Sequence, residues 1–163
     1  MISLGIDQSL RSTGVVVVDG DKKLVDYVVI STDTEKPTEE RCEFIAEWVR
    51  SMVVTNKVDT AVIEGLSFGS QTNATRDLAK LQGFINSYLK RSLAYGYYPI
   101  CVAPTSLKKY ATGSGKAKKE EMLEACPEDI KKFLETFPKT KGRFDLCDAY
   151  WLACYGVDNP QER

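Results

Sequence analysis

Four acidic residues stand where this sequence offers a carboxylate little reason to be. Asp7 closes the segment Ile2-Ser3-Leu4-Gly5-Ile6-Asp7, and Glu64 closes Thr60-Ala61-Val62-Ile63-Glu64. Both follow apolar residues at the end of an expected strand, and ligands of open α/β sheets collect beyond the carboxyl ends of strands. Asp7 also suits a turn-initiating role. Glu64 has no such alternative, since Glu is a poor strand residue. Asp145 and Asp148 lie on one face at the start of an expected final helix. Acids there cap a helix and complement its dipole. Yet Asp148 sits inside Leu146-Cys147-Asp148-Ala149-Tyr150-Trp151-Leu152-Ala153-Cys154, which is otherwise apolar all around. A carboxylate buried in such a stretch needs a partner, and no basic residue follows it before Arg163.

If these four acids converge, each pair at 4 Å repels by about 4 kcal/mol for an effective dielectric near 20. A marginally stable fold tolerates that only with cations present or with raised pKa values. Hard oxygen ligands select Mg²⁺, with Mn²⁺ as a substitute, and two ions about 4 Å apart form a clamp for in-line phosphodiester displacement. The composition agrees with this chemistry. None of the 163 residues is histidine, which excludes a Ser-His-Asp triad, a Cys-His pair and His-ligated metals. The five cysteines never occur as C-x-x-C, so they read as free thiols of a reducing compartment rather than a zinc site. The N-terminus lacks the basic start and apolar stretch of a signal peptide, and no run is long enough to span a bilayer. A cytoplasmic location without a membrane partner is therefore expected. Lys and Arg number 22 against 23 Asp and Glu, a formal charge of −1. No global field attracts a polyanion, so any nucleic-acid contact must find its positive charge locally.

The elements that must carry these acids are legible in outline. Residues 2–7 alternate as a first strand, and Val15-Val16-Val17-Val18 forms a second that ends at the turn signal Asp19-Gly20-Asp21. Leu24 to Ser31 returns as a third. After Pro37 the spacing of Cys42, Ile45, Val49 and Met52 predicts a helix over 38–54. A fourth strand covers 60–64, a polar loop 66–74, and a helix follows with Leu78, Leu81, Ile85, Tyr88 and Leu89 on one stripe. A fifth strand spans 97–102, short helical pieces fall at 104–110, 117–126 and 128–137, and the last helix at about 144–156. No linker divides the chain, which reads as one α/β domain over 1–163. Its expected core is a mixed five-stranded sheet, three antiparallel strands then two parallel ones, with helices on both faces.

The opening Gly5-Ile6-Asp7-Gln8-Ser9-Leu10-Arg11-Ser12-Thr13-Gly14 resembles the G-I-D-P-G-x-x-x-T-G start of RuvC-type Holliday junction resolvases, with Gln8-Ser9 in place of Pro-Gly. Ala61-Val62-Ile63-Glu64 is similar to that family's second acidic strand, and Asp145-Leu146-Cys147-Asp148-Ala149 to its D-x-x-D-A helix start. The three motifs occur in the family's order over nearly the whole chain. The resemblance implies an RNase H-like fold, a homodimer, and Mg²⁺-dependent nicking of four-way DNA junctions, with Asp7, Glu64, Asp145 and Asp148 as catalytic metal ligands. It also implies a basic DNA-binding segment before the last helix, where Lys108, Lys109, Lys116, Lys118 and Lys119 stand around Gly113-Ser114-Gly115. The bland reading of these lysines is a solvated face. Phe68, in the polar loop after Glu64, suits either a base wedge or a loop anchor. The 78–89 stripe suits either the family's dimer contact or a core face. The departures from the motif point to a divergent, viral or phage member.

Three other readings remain open. An RNA–DNA hybrid nuclease would use the same fold. A non-catalytic junction-binding protein would need no working acids. Sugar kinases and actin-like ATPases share the opening motif, but they need a second, similar domain for which this chain is too short.

Overall fold

The structure is a computed structural model that describes residues 1–66 and 72–161, apart from the Tyr95 side chain. Five strands, β1 (Ser3–Asp7), β2 (Ser12–Val18), β3 (Leu24–Ser31), β4 (Thr60–Glu64) and β5 (Ile100–Val102), form one sheet in the order β3-β2-β1-β4-β5. β1 pairs antiparallel with β2 and β2 with β3, whereas β4 lies parallel to β1 and β5 parallel to β4. The expected mixed sheet is therefore present, and its first strand in sequence is its central one.

Helices α1 (Thr38–Asn56) and α2 (Asn73–Lys90) cover one face. Helices α3 (Pro104–Thr112), α4 (Lys119–Glu124), α5 (Glu128–Glu135) and α6 (Arg143–Asp158) cover the other. The period-2 alternation of β1 separates the two sides. Leu4 and Ile6 join the core beneath α1 and α2, which leaves Ser3, Gly5 and Asp7 facing α6. In β4, Ala61 and Ile63 face α1 and α2, so Val62 and Glu64 face α6. Burial of each of these Leu, Ile and Val side chains contributes about 1.5–3 kcal/mol.

α6 lies unusually close to β1. A Cβ on Gly5 would stand 2.0 Å from the Ala149 carbonyl oxygen, and one on Gly156 would come within 2.9 Å of Val62. Glycine at these two positions lets the helix settle onto the strand, with its N-terminus at the carboxyl end of β1. α3, α4 and α5 then cover the helix from outside. Leu146, Cys147, Ala149, Tyr150, Leu152, Ala153 and Cys154 are all buried as a result. That double covering is why the last helix is apolar all around.

Several boundaries differ from the sequence expectation for local reasons. β2 starts at Ser12, because Gly14 pairs with Asp7 of β1 while Ser12 and Thr13 pair with Ser31 and Ile30 of β3. In the hairpin after it the left-handed residue is Lys22 (φ 62°) rather than Gly20, and Asp19 Oδ1 accepts from the amides of Asp21 and Lys23. α2 begins at Asn73, earlier than its apolar stripe suggests, because Thr72 Oγ1 accepts from the Thr75 amide at 3.3 Å. β5 keeps only Ile100–Val102 of the expected 97–102, Pro99 lacking a donor for the ladder. α3 ends at Gly113, whose φ of 87° suits a helix C-terminus. The α2 stripe resolves in favour of the core: Leu81, Ile85 and Leu89 are fully buried, with Leu78 and Tyr88 packed against them. Among the described residues no helix is long and apolar enough to cross a membrane.

Candidate metal centre and nucleic-acid cleft

Sheet register and helix placement bring three of the four acids together. Ile6 pairs with Ile63 in the parallel ladder, so Asp7 and Glu64 emerge side by side at the carboxyl ends of adjacent strands, both on the α6 face. Asp148 meets them from the first turns of α6. One carboxylate oxygen from each of Asp7, Glu64 and Asp148 lies within 4.8 Å of the others. Asp145 stands outside that triad. Its Oδ2 accepts from the Gly142 amide at 3.3 Å and from Ser12 Oγ at 3.1 Å, so it satisfies a backbone donor at the start of α6.

The electrostatics of the triad are adverse for a protein without bound cations. Burial pushes the Asp7 carboxyl well above the usual carboxylate range, and the charges of Asp148, Glu64 and Asp145 push it further. Burial also raises Glu64, with partial relief from a hydrogen bond to Asp7 and from Lys108. Asp148 is pushed up to about 7, first by burial and then by Glu64, while Lys119 and Lys108 pull it partly back. No salt bridge to any of these acids occurs among the described residues. The donor set fits a hard divalent cation: oxygen donors from three half-buried carboxylates converge, with no protein cation in contact among the described residues to neutralise them.

Glu64 and Asp148 of the triad line a cleft of about 560 Å³ together with Lys108, Lys116, Lys118 and Lys119. α3 delivers Lys108; the turn between α3 and α4 delivers Lys116 and Lys118; the first residue of α4 is Lys119. Positive charge is thus concentrated beside the acids although the chain as a whole is slightly acidic.

The sequence model of the crossover junction endodeoxyribonuclease RuvC family matches residues 3–153. The chain belongs to the RuvC family. The RuvC of Synechococcus sp. (strain WH7803) is 30% identical over 156 residues, covering 94% of this chain and 96% of that protein. The fold is shared with Thermus thermophilus RuvC, at TM-score 0.74 and 21% identity over 94% of this chain and 91% of that one. It is also shared with T. thermophilus RuvC in complex with a Holliday junction substrate, at TM-score 0.68 and 23% identity over 94% and 90% of the two chains.

Against the RuvC-type motif, the Gln8 departure has a visible structural use. Gln8 is buried, and its Nε2 donates to the Glu64 carbonyl oxygen at 3.1 Å and to Gln82 Oε1 of α2 at 2.9 Å. It ties the end of β4 to α2 in a way proline cannot. Sequence reasoning missed this pair, as it missed Ser12, because a polar side chain in a motif carries no mark of a partner far along the chain. Of the expected DNA-binding residues, Lys109 is exposed on α3 and does not line the cleft. Phe68 lies outside the described residues.

Proposed function

We propose that this RuvC family member is a metal-dependent endonuclease that resolves four-way DNA junctions, folded as a single nuclease domain over residues 1–163. The observation that carries the reading is the convergence of Asp7, Glu64 and Asp148 within 4.8 Å at the floor of a lysine-lined cleft. Asp7, Glu64 and Asp148 would hold the cations, with Asp145 as the fourth ligand and Mg²⁺ or Mn²⁺ as the ion, two per site. Such ions supply Lewis-acid activation of water and charge stabilisation at the departing 3′ oxygen.

The protein's own residues account for the remainder. Lys108, Lys116, Lys118 and Lys119 attract and orient the phosphate backbone over the acids, acting as sequence-independent contacts. Lys109, on the same helix, adds to the field without touching the cleft. Burial of the acids by α6 and its covering helices lowers the local dielectric, which strengthens each charge interaction made there. The N-terminus of α6 directs its positive dipole end toward the acids.

Resolution by paired cuts requires two such sites, and we read the chain as a homodimer. Since Leu81, Ile85 and Leu89 of the α2 stripe are buried in the core, the pairing surface would be the outward face of that helix. Support comes from Gly83, which sits mid-helix with open space where its Cβ would be, at a cost of about 1 kcal/mol against alanine. Ser87 follows one turn later on the same exposed face. Five free cysteines suit a reducing compartment such as the cytoplasm.

Incubation of the purified chain with labelled four-way, three-way, linear and hybrid duplexes, with Mg²⁺ or with EDTA, tests the reading. Strand cleavage of the four-way junction in Mg²⁺ alone is expected. Asp7→Asn should end cleavage while junction binding persists. Normal cutting by that variant removes Asp7 from the site, and binding without any cutting by the wild type reduces the chain to a junction-binding protein.

A further inference from the structure

We propose that Ser12 is a positioning residue for Asp145: its hydroxyl holds one carboxylate oxygen so that the other is kept turned toward a divalent cation. The inference rests on the metal-dependent reading above and extends it to a residue outside the acid set. Ser12 Oγ donates to Asp145 Oδ2 at 3.1 Å, and the Gly142 amide donates to the same oxygen at 3.3 Å. Among the described residues no donor reaches Asp145 Oδ1. One oxygen is therefore anchored twice and its neighbour not at all. That is the arrangement by which hydrogen-bonded outer residues aim a carboxylate ligand.

The seat for this contact is built into the backbone. Gly14, two residues along β2 and paired with Asp7, packs directly on the start of α6, where a Cβ would stand 2.7 Å from the Asp145 carbonyl group. The missing side chain lets β2 approach closely enough for the Ser12 hydroxyl to span the gap. Gly142, at φ 105°, turns its amide onto the same oxygen. Asp145 is also the acid most in need of such a hold. It lies outside the 4.8 Å triad, yet its charge acts on both Asp7 and Asp148. Without the hydroxyl, one long amide contact remains to oppose that mutual repulsion, and the carboxylate is free to swing away.

The test titrates Mn²⁺ alone into the full chain by calorimetry, for wild type, Ser12→Ala, Ser12→Thr and Asp145→Asn. Melting temperature and junction affinity in EDTA serve as controls. Ser12→Ala is expected to weaken Mn²⁺ binding about tenfold, in the range found when outer-shell partners are lost. The Mn²⁺ concentration for half-maximal cleavage should rise by a similar factor, with junction affinity in EDTA unchanged. Ser12→Thr keeps a hydroxyl and should recover wild-type Mn²⁺ binding. If Ser12→Ala binds Mn²⁺ like wild type while Asp145→Asn binds it weakly, the positioning role is overturned and Asp145 stands as a ligand. If Asp145→Asn also binds like wild type, Asp145 leaves the ligand set and the proposal falls with it. A lower melting temperature with unchanged Mn²⁺ affinity assigns Ser12 to packing alone and overturns the proposal.

Discussion

The last helix carries aspartates at both ends, and the two ends meet opposite electrostatic conditions. At the C-terminus, Asp158 Oδ2 accepts from Lys22 Nζ at 2.7 Å and from the Tyr110 hydroxyl at 2.6 Å. Lys22 first, then Tyr110, hold its carboxyl below the usual value. At the N-terminus, burial and the neighbouring acids push Asp148 up to about 7. The helix dipole alone would order them the other way, since it favours carboxylates at the N-terminus and disfavours them at the C-terminus. Direct contacts and burial therefore outweigh the dipole at both ends. Where an aspartate serves only the fold, a lysine is brought against it. Where it faces the cleft, Lys108 and Lys119 act only from a distance, and charge is left uncompensated. That asymmetry is what a site for an external cation requires.

Neutralising the crowded end should break the contrast most visibly. Asp148→Asn is expected to reduce junction cleavage to background and, in EDTA, to stabilise the chain. A carboxyl raised from 3.8 to about 7 costs the folded state about 4 kcal/mol once pH exceeds the folded value. The sign follows from linkage. The unfolded chain gives up this proton first, so stability is intact below pH 3.8, declines as pH rises toward about 7, and levels above it. Asp7 and Glu64, also raised, add to the same decline. Urea denaturation in EDTA at pH 5 and pH 8 should show wild type losing stability at the higher pH and Asp148→Asn losing less. Equal losses in the two proteins would mean that Asp148 is not under the strain described.

Reversing two of these lysines tests the cationic lining of the cleft. Lys118→Glu with Lys119→Glu should weaken junction binding and flatten its salt dependence, by about 0.9 in the log–log slope for each phosphate contact removed. An unchanged slope would take that turn out of the DNA interface. Because Lys119 also pulls Asp148 down, the same pair should make the chain slightly less stable in EDTA at pH 8. The two ends of the comparison are thereby linked through a single measurement.

How much of this was legible beforehand depended on whether the signal was periodic. Alternation along β1 and β4 places residues 5, 7, 62 and 64 on one face, and the apolar character of the last helix signals that it is covered on all sides. The acids could be singled out because they interrupt those patterns. Asp145 was harder: its capping chemistry and its ligand chemistry use the same residue at the same position, and the structure shows the capping contacts. Ser12, Gln8 and Gln82 had no local signature, since each is an ordinary polar residue whose partner is fixed by sheet register and helix packing. The α2 stripe was ambiguous for a similar reason, because a core face and a dimer face share one periodicity until the neighbours are known.

The smallest effect is expected at the satisfied end. Asp158→Asn removes an ion pair whose side chains remain 38% and 43% exposed, so screening limits the loss to about 0.5–1 kcal/mol, with no change in cleavage. Its pH dependence runs opposite to that of Asp148. The folded carboxyl is depressed, so its contribution is present above the usual value and is lost as pH falls through the folded one. Ten residues of helix separate the two aspartates by about 15 Å, beyond the range at which substitutions usually couple. Asp148→Asn with Asp158→Asn should then show the sum of the single effects to within about 0.5 kcal/mol in EDTA. A clear departure from that sum would mean that the whole of α6 moves when its crowded end is discharged, and the charge at its N-terminus could no longer be treated as a local property of the cleft.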